Sequence, residues 1–431
     1  MSRNRMRFAV PLALVAAAAA TAGTALSASA TRAVSGKLAV TAVWSGAEQK
    51  SFEAVLAGFK KTNPGISVKY TSSGDQLPTV LGTAVTGGNP PDLAVLPQPG
   101  LMKDFAKKKA LKPLTFLAST MKANFAPVWG QLGSVGGKQY GLLFKGANKS
   151  TIWYNVAAFK AAGVTAPTSW PALLTAAKTL KASGTPAFSI GGADGWTLTD
   201  LFENIYLRQA GGAKYDQLSS HTIKWTDPSV KAALKTMAGI LEGSNVGGGT
   251  AGALQTDFPT SVSQVFASPP KAAMVMEGDF VAGVITSSTK AKPVSGFNEF
   301  AFPAIGASGP VVVGGGDTVV MFKDSPAARA LVTYLASPQA ASIWAHRGGF
   351  SSPNKHVKAS VYPDAITRKT AVALALAKVF RFDMSDLQPA AFGGTVGQGE
   401  FKDFQDLLKN PSDIDGVAAE LEADAAKAYK G

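Results

Sequence analysis

From Lys37 onward the apolar positions fall into alternating strand-like and helix-like groups. Leu38 to Trp44 is a mostly apolar run of the kind a buried parallel strand needs. The period then changes: Phe52, Val55, Leu56 and Phe59 recur at i, i+3, i+4 and i+7, one face of a helix that Asn63-Pro64-Gly65 stops. Ile66 to Thr71 predicts a second strand, Leu77 to Val85 a helix, and Asp92 to Leu96 a third strand after Asn89-Pro90-Pro91. Strands separated by helices imply βαβ units and a mainly parallel sheet. Ligands bind such sheets beyond the carboxyl ends of the strands, so the loops after Val43, Tyr70 and Leu96 are candidate contacts.

The middle of the chain reads as helical. Ser169 can cap a helix whose first turn holds Trp170 and Pro171 and whose buried face is Leu173, Leu174, Ala177 and Leu180. Further helices are predicted over Leu198 to Ala210, ending at Gly211-Gly212, over Pro228 to Leu241, and opening near Asp279 after the strand-like Ala272 to Met276. Strand patterns return at Glu299 to Phe302 and Thr318 to Phe322. Ala327 to Ala336, Gln339 to His346, Thr370 to Phe380, Phe401 to Leu408 and Ile414 to Tyr429 read as helices.

Length adds the expectation of two lobes, because 431 residues exceed the roughly 250 to 300 at which one core stops growing. Residues 1–30 read as an export signal: Arg3, Arg5 and Arg7, an apolar stretch from Phe8 to Ala22, and a small-residue end at Ala28-Ser29-Ala30. An uncleaved anchor over Phe8 to Leu26 is the rival reading, which Pro11 and the alanine content disfavour. The absence of cysteine excludes a disulfide framework, a thiolate zinc site and a cysteine nucleophile, and the three histidines form no H-E-x-x-H pair.

No serine-hydrolase elbow, phosphate loop or kinase set is present. Gly247, Gly249 and Gly252 spell G-x-G-x-x-G but follow a helix, so they read as a flexible loop and not a dinucleotide cradle. Glu48, Asp200, Glu277 and Asp279 could supply an acid/base pair, although their separation is not encoded in the sequence. Asp279 reads equally as a helix N-cap. The formal net charge of +14 raises the possibility of nucleic acid, yet the cluster Lys103, Lys107, Lys108, Lys109 and Lys112 lacks interleaved aromatics and reads as a solvated face. No nucleic-acid partner is therefore expected.

Several loops combine aromatic or amide side chains with flexible backbone: Trp44 to Glu48, Pro97 to Gly100, Gly191 to Trp196, Glu277 to Phe280, Gly314 to Asp317, Arg347 to Phe350 and Arg381 to Asp383. A sugar offers apolar C–H faces bordered by hydroxyls, and these residue types match both features.

Across these loops the chain resembles the extracellular solute-binding proteins of bacterial ABC sugar importers, most closely the α-glucoside-binding type. The resemblance runs from about residue 37 to about residue 430. It is carried by Val43-Trp44-Ser45-Gly46, the stretch from Gly88 to Gly100, Gly141 to Lys145 leading to Trp153-Tyr154-Asn155, and Gly195-Trp196 with Thr199-Asp200. It continues in Met276 to Phe280, Gly314 to Asp317, Gly348 to Asn354 and Arg381 to Leu387. The resemblance implies an α/β, two-lobe, type II periplasmic-binding-protein-like fold with crossover strands at the hinge. Lobe one would comprise 37–146 and 304–350, and lobe two 147–303 and 351–431.

It further implies a sugar or oligosaccharide held in the cleft and delivered to membrane permease subunits, with no cofactor, no metal and no covalent chemistry. By matched position, Trp44, Trp196 and Phe350 are expected as stacking surfaces. Glu48, Gln98, Lys145, Asp279, Asp317 and Arg381 are expected as hydroxyl contacts, the Gly315 and Gly316 amides as donors, and Phe280 completes the set. Many relatives from Gram-positive bacteria carry a lipid-modified cysteine after the signal. Ala28 to Ala33 has none, which puts tethering in doubt. The alternatives are a receptor for an oligopeptide, polyamine or phosphate ester, of which a polyamine site would want more clustered carboxylates, or a secreted glycoside hydrolase.

Overall fold

The computed structural model describes residues 34–430; the expected export signal at 1–30 lies outside the described residues. Its strands, in chain order, are Gly36–Ala42 (β1), Ile66–Ser72 (β2), Leu93–Leu96 (β3), Ser134–Val135 (β4), Lys138–Gln139 (β5), Gly141–Asn148 (β6), Thr151–Asn155 (β7), Phe188–Ser189 (β8), Met274–Met276 (β9), Phe297–Ala301 (β10), Val312–Met321 (β11) and Phe380–Phe382 (β12).

Ten of these strands make two lobes, each with its own sheet, and β4 and β5 pair with each other in a small antiparallel hairpin. The first sheet runs β12-β11-β3-β1-β2, with β6 on β11. Pairing of β1 with β2 and with β3 is parallel, as the alternating strands and helices predict. The sheet as a whole is mixed, because β11 lies antiparallel to both β3 and β6. β3 is buried along its whole length, which explains its unbroken apolar sequence. The second sheet, β10-β7-β9-β8, is mostly antiparallel.

Each sheet organises a core. Val40, Trp44, Phe52, Phe59, Phe144 and Trp344 are among those filling the first, and Phe202, Tyr206, Trp225, Phe404 and Leu421 among those filling the second. The chain crosses between the sheets from β6 directly to β7 and from β10 to β11, and passes to the second core again after β12. At the first crossing Ser150 Oγ donates to Asn204 Oδ1 at 2.6 Å and accepts from the Val313 amide at 2.9 Å, which joins two of the crossing segments. The segment beginning at 351 does not keep to one lobe. Val357, Val361, Tyr362, Ala371 and Phe382 pack on the first core, and the chain joins the second core from Met384 onward.

Most predicted helices are present, and Pro228–Leu241 has the predicted ends. Four segments differ. Gly211, with φ 80°, breaks the helix that starts at Trp196, but the chain re-enters helix and continues to Ser219. The helix expected over 370–380 is Ala365–Ala375, because Phe380 is taken into β12. Gly247 and its neighbours are not an open loop: the Gly247 amide donates to Phe188, and Gly249–Ala253 is a short helix. Gly314, Gly315 and Gly316 lie inside β11 and not in a loop.

Candidate functional site

The loops after β1, β2 and β3 end on one wall of a cleft between the lobes. Val43, Trp44 and Ser45 follow β1, Gly74 and Asp75 follow β2, and Pro97 and Gln98 follow β3. The facing wall carries Asp194, Trp196, Asp257, Phe258, Phe280, Ser385, Asp386 and Phe401, and the cavity measures about 280 Å³. Gly195, at φ 82°, turns the chain into the helix that presents Trp196, and a Cβ there would press on Phe401. Trp196 packs against Phe258 at 5.2 Å and Phe280 at 6.0 Å between ring centroids, which keeps the three rings together on that wall.

Lys145, from β6, is the cation of the first wall. Its Nζ lies 2.5 Å from Glu48 and 3.4 Å from Asp317, and 5.0 Å from the centre of the Phe280 ring on the opposite wall. Burial works to deprotonate this lysine, but the Glu48 and Asp317 charges outweigh it and hold the pKa above its ordinary value. Glu48 sits at the N-terminal turn of the helix Gly46–Thr62, and burial raises its carboxyl against the pull of Lys145. Trp44 Nε1 donates to Asp317 Oδ2 at 2.7 Å, so this carboxylate is fixed from two sides.

Lys149 sits at the first crossing. Its ammonium lies 3.0 Å from Asp200 and 3.7 Å from Asp386, and donates to Asp383. Asp383 in turn caps the short helix Met384–Leu387, accepting from the Asp386 amide at 2.9 Å and Ser385 Oγ at 2.7 Å. Burial would raise the Asp383 carboxyl, but Lys149 outweighs it and holds it below the usual range. Asp200 is pushed up to about 8 by burial, with Lys149 opposing. Behind it Glu203 accepts from Tyr215 Oη and from the Met384 and Ser385 amides, while burial raises both Glu203 and Glu277. One cation thus binds the β6 exit to the helix from Trp196 and to the chain after β12.

The model of the bacterial extracellular solute-binding protein family matches residues 44–342, a span that includes most of the residues on both walls of this cleft but not Ser385, Asp386 or Phe401. The chain belongs to that family. As a family member it is 35% identical to the osmoprotective compounds-binding protein GgtB of Synechocystis sp. over 373 residues, 85% of this chain and 86% of that one. It is 32% identical to the alpha-glucosides-binding periplasmic protein AglE of Rhizobium meliloti, over 84% of this chain and 81% of that one. The fold is that of the bacterial solute receptor AcbH, with a TM-score of 0.81 at 18% identity over 92% of this chain and 100% of that one. It is also that of RafE bound to raffinose, at 0.73 and 19% over 92% of this chain and 100% of that one.

Of the site residues expected in this family member, Trp44, Glu48, Gln98, Lys145, Trp196, Phe280, Gly316 and Asp317 meet in the cleft. Four do not line it. Phe350 is buried against Phe144 and Trp344, where it fills the first core and offers no free face. Arg381 pairs with Asp216 at 2.6 Å on the outside of β12. Gly315 lies within β11, paired with Ala147 of β6 and covered by the Lys149 side chain. Asp279 is 2% exposed behind Phe280, accepts from Ser351 Oγ, and is pushed up to about 6 by burial. Nor does it cap the following helix, whose N-cap position is Phe280.

Trp44 departs from its expected stacking role in another way: it is fully buried, tilted against Phe52 and edge-on to Trp344, so it meets the cleft through its N–H and not a ring face. Of the carboxylates weighed as an acid/base pair, only Glu48 lines the cleft, and it is bound to Lys145. Lys149, Asp75, Asp194, Phe258, Asp386 and Phe401 are cleft residues that the sequence alone does not single out. Asp75 and Asp194 stand in loops whose position is legible from the strand and helix pattern. Phe258 and Lys149 carry no local signal.

Proposed function

We propose that this protein is the exported substrate-capturing subunit of an ABC importer, that its cleft binds a carbohydrate of the α-glucoside class or a related glycoside, and that the loaded closed form delivers it to the membrane permease. The observation that carries this reading is the pairing of walls. Trp196, Phe258 and Phe280 offer aromatic surface facing Glu48, Gln98, Lys145 and Asp317, which offer fixed acceptors and donors. Aromatic surface suits the C–H face of a pyranose and the polar row suits its hydroxyls. Two relatives named for glucosides and osmoprotective compounds support the class.

Closure follows from the same arrangement, since a solute touching both walls binds the closed form better and shifts the population toward it. The cleft would capture without chemistry. Isothermal titration against maltose, trehalose, sucrose and longer α-glucans, with product analysis of the same samples, tests both parts. Binding with intact sugar supports the reading, no binding of any sugar overturns it, and released monosaccharide overturns the claim of capture without chemistry.

A further inference from the structure

The cleft is acidic although the chain is basic. Its lining contains six carboxylates, Glu48, Asp75, Asp194, Asp257, Asp317 and Asp386, against two lysines, Lys145 and Lys149. Both lysines are already engaged, the first by Glu48 and Asp317 and the second by Asp200, Asp383 and Asp386. Asp75, Asp194 and Asp257 have no ion-pair partner among the described residues.

These three converge from different elements. Asp75 belongs to the turn Gly74–Gln76 of the first lobe, whereas Asp194 precedes Trp196 and Asp257 precedes Phe258 in the second. All three line this cleft, and burial chiefly raises the carboxyls of Asp75 and Asp194, the latter to about 7, so a cation lying between them would be what holds both ionised at neutral pH. Asp194 spends one oxygen on the Phe258 amide at 2.6 Å and Asp257 one on the Thr260 amide at 2.8 Å. The remaining oxygens are free to accept. Asp75 faces the indole N–H of Trp196, which still completes no hydrogen bond. Independently, Gln98 is 4% exposed, lines the same cleft, and has an Oε1 that accepts nothing. The three carboxylates are not grouped closely enough to share one metal ion; the group among the described residues that is, Asp403 with Asp406 and Glu420, lies outside the cleft lining.

Ionised carboxylates only accept, and a hydroxyl facing them donates once and leaves its own lone pairs against negative charge. An ammonium donates three times, accepts nothing and cancels charge, and aromatic faces attract it further. We propose that the solute carries an ammonium group beside its hydroxyls, as in an amino-substituted sugar or polyol, and that this group lies among Asp75, Asp194 and Asp257 against Trp196 and Phe258. The hydroxyl-bearing part then lies toward Lys145, Glu48 and Gln98. This assignment rests on the carbohydrate reading of the cleft.

The test is titration of the full-length exported protein with 6-amino-6-deoxytrehalose, its N-acetyl derivative and trehalose, and with 6-amino-6-deoxyglucose against glucose, alongside maltose, sucrose and longer α-glucans. The free amines should bind about tenfold tighter than their neutral counterparts, with the advantage shrinking as salt is raised. In Asp75→Asn the ratio of amine to neutral affinity should fall toward one, whichever way the neutral affinity itself moves. Neutral sugars that bind as well as or better than the amines overturn the ammonium assignment and leave the carbohydrate reading standing. Failure of every sugar, charged or neutral, overturns both. An amine advantage that survives unchanged in Asp75→Asn and Asp194→Asn overturns the placement of the ammonium among these carboxylates.

Discussion

The indole N–H of Trp44 holds the Asp317 carboxylate at 2.7 Å, joining the end of β1 to the middle of β11 across 273 positions of sequence. The ring behind that N–H packs on Phe52 and Trp344, so its orientation is set by the core. Trp44→Phe keeps most of the packing and removes the donor. It should cost about 1 to 3 kcal/mol in chemical denaturation, the usual penalty for leaving a buried partner unmatched, and weaken sugar binding through a loosened Asp317. Unchanged stability and affinity would show the bond to be idle.

Trp196 presents the aromatic surface that Trp44 does not. Trp196→Ala should lower sugar affinity by about tenfold or more, while Trp196→Phe should recover much of the loss because a flat apolar face is restored. Calorimetric titration of both variants gives the comparison, and alanine and phenylalanine behaving alike would rule out stacking at this position.

Among the described residues, Lys149 is the sole cation paired with the buried carboxylates of the first crossing. Lys149→Met should destabilise the protein by about 3 to 5 kcal/mol, since it strands Asp383 and Asp200 without their partner. The double change Lys149→Met with Asp383→Asn should recover part of that loss in the same denaturation assay.

Stability should also fall as pH rises. Asp200, Asp194 and Asp403 have folded pKa values raised to about 8, 7 and 7, chiefly by burial. A raised carboxyl binds its proton more tightly folded than unfolded, so its contribution is complete below the unfolded value near 4 and is lost as pH climbs through the folded one. Asp383, held low by Lys149, acts in the opposite sense, and only as pH falls below the unfolded value near 4. The melting temperature should therefore decline between about pH 5 and pH 8.5, with Asp200→Asn flattening the slope. A melting temperature that rises over that interval would contradict this balance.

Gly100 sits in the helix Pro99–Lys107 of the first lobe, where a Cβ would collide with the Gln388 carbonyl and approach the Asp386 carbonyl. Gly100→Ala should wedge these segments apart at a cost of about 1 to 3 kcal/mol, and small-angle scattering should record a larger radius of gyration than wild type with saturating sugar. Equal radii would place closure elsewhere.

Sequence periodicity exposed elements whose burial is one-sided, such as the helix holding Phe52, Val55 and Phe59, because there the pattern is the packing. It misread Gly314 to Gly316 as a loop. In β11 the missing side chain at Gly314 makes room for the Phe380 ring and that at Gly315 for the Lys149 chain, and these neighbours come from distant parts of the sequence. The cleft was legible where strand ends dictate it, at Glu48 and Gln98, whereas at Asp75 only the loop after β2 was. Lys149 was not, because its meaning comes from Asp200, 51 positions away, and Asp383, 234 positions away. Phe350 and Arg381 were misplaced for the converse reason, since a residue beside a crossing can point to the core or outward with the same local sequence.

The position of β11 has a consequence for the order in which the molecule can assemble. Its partners β3 and β6 are complete by residue 148, yet β11 begins at Val312 and its other neighbour at Phe380. During synthesis an unpaired strand edge would stay open until more than two thirds of the chain exists. Neither lobe can be obtained by cutting the chain once, and a ribosome stalled before residue 312 would carry only an unfinished sheet.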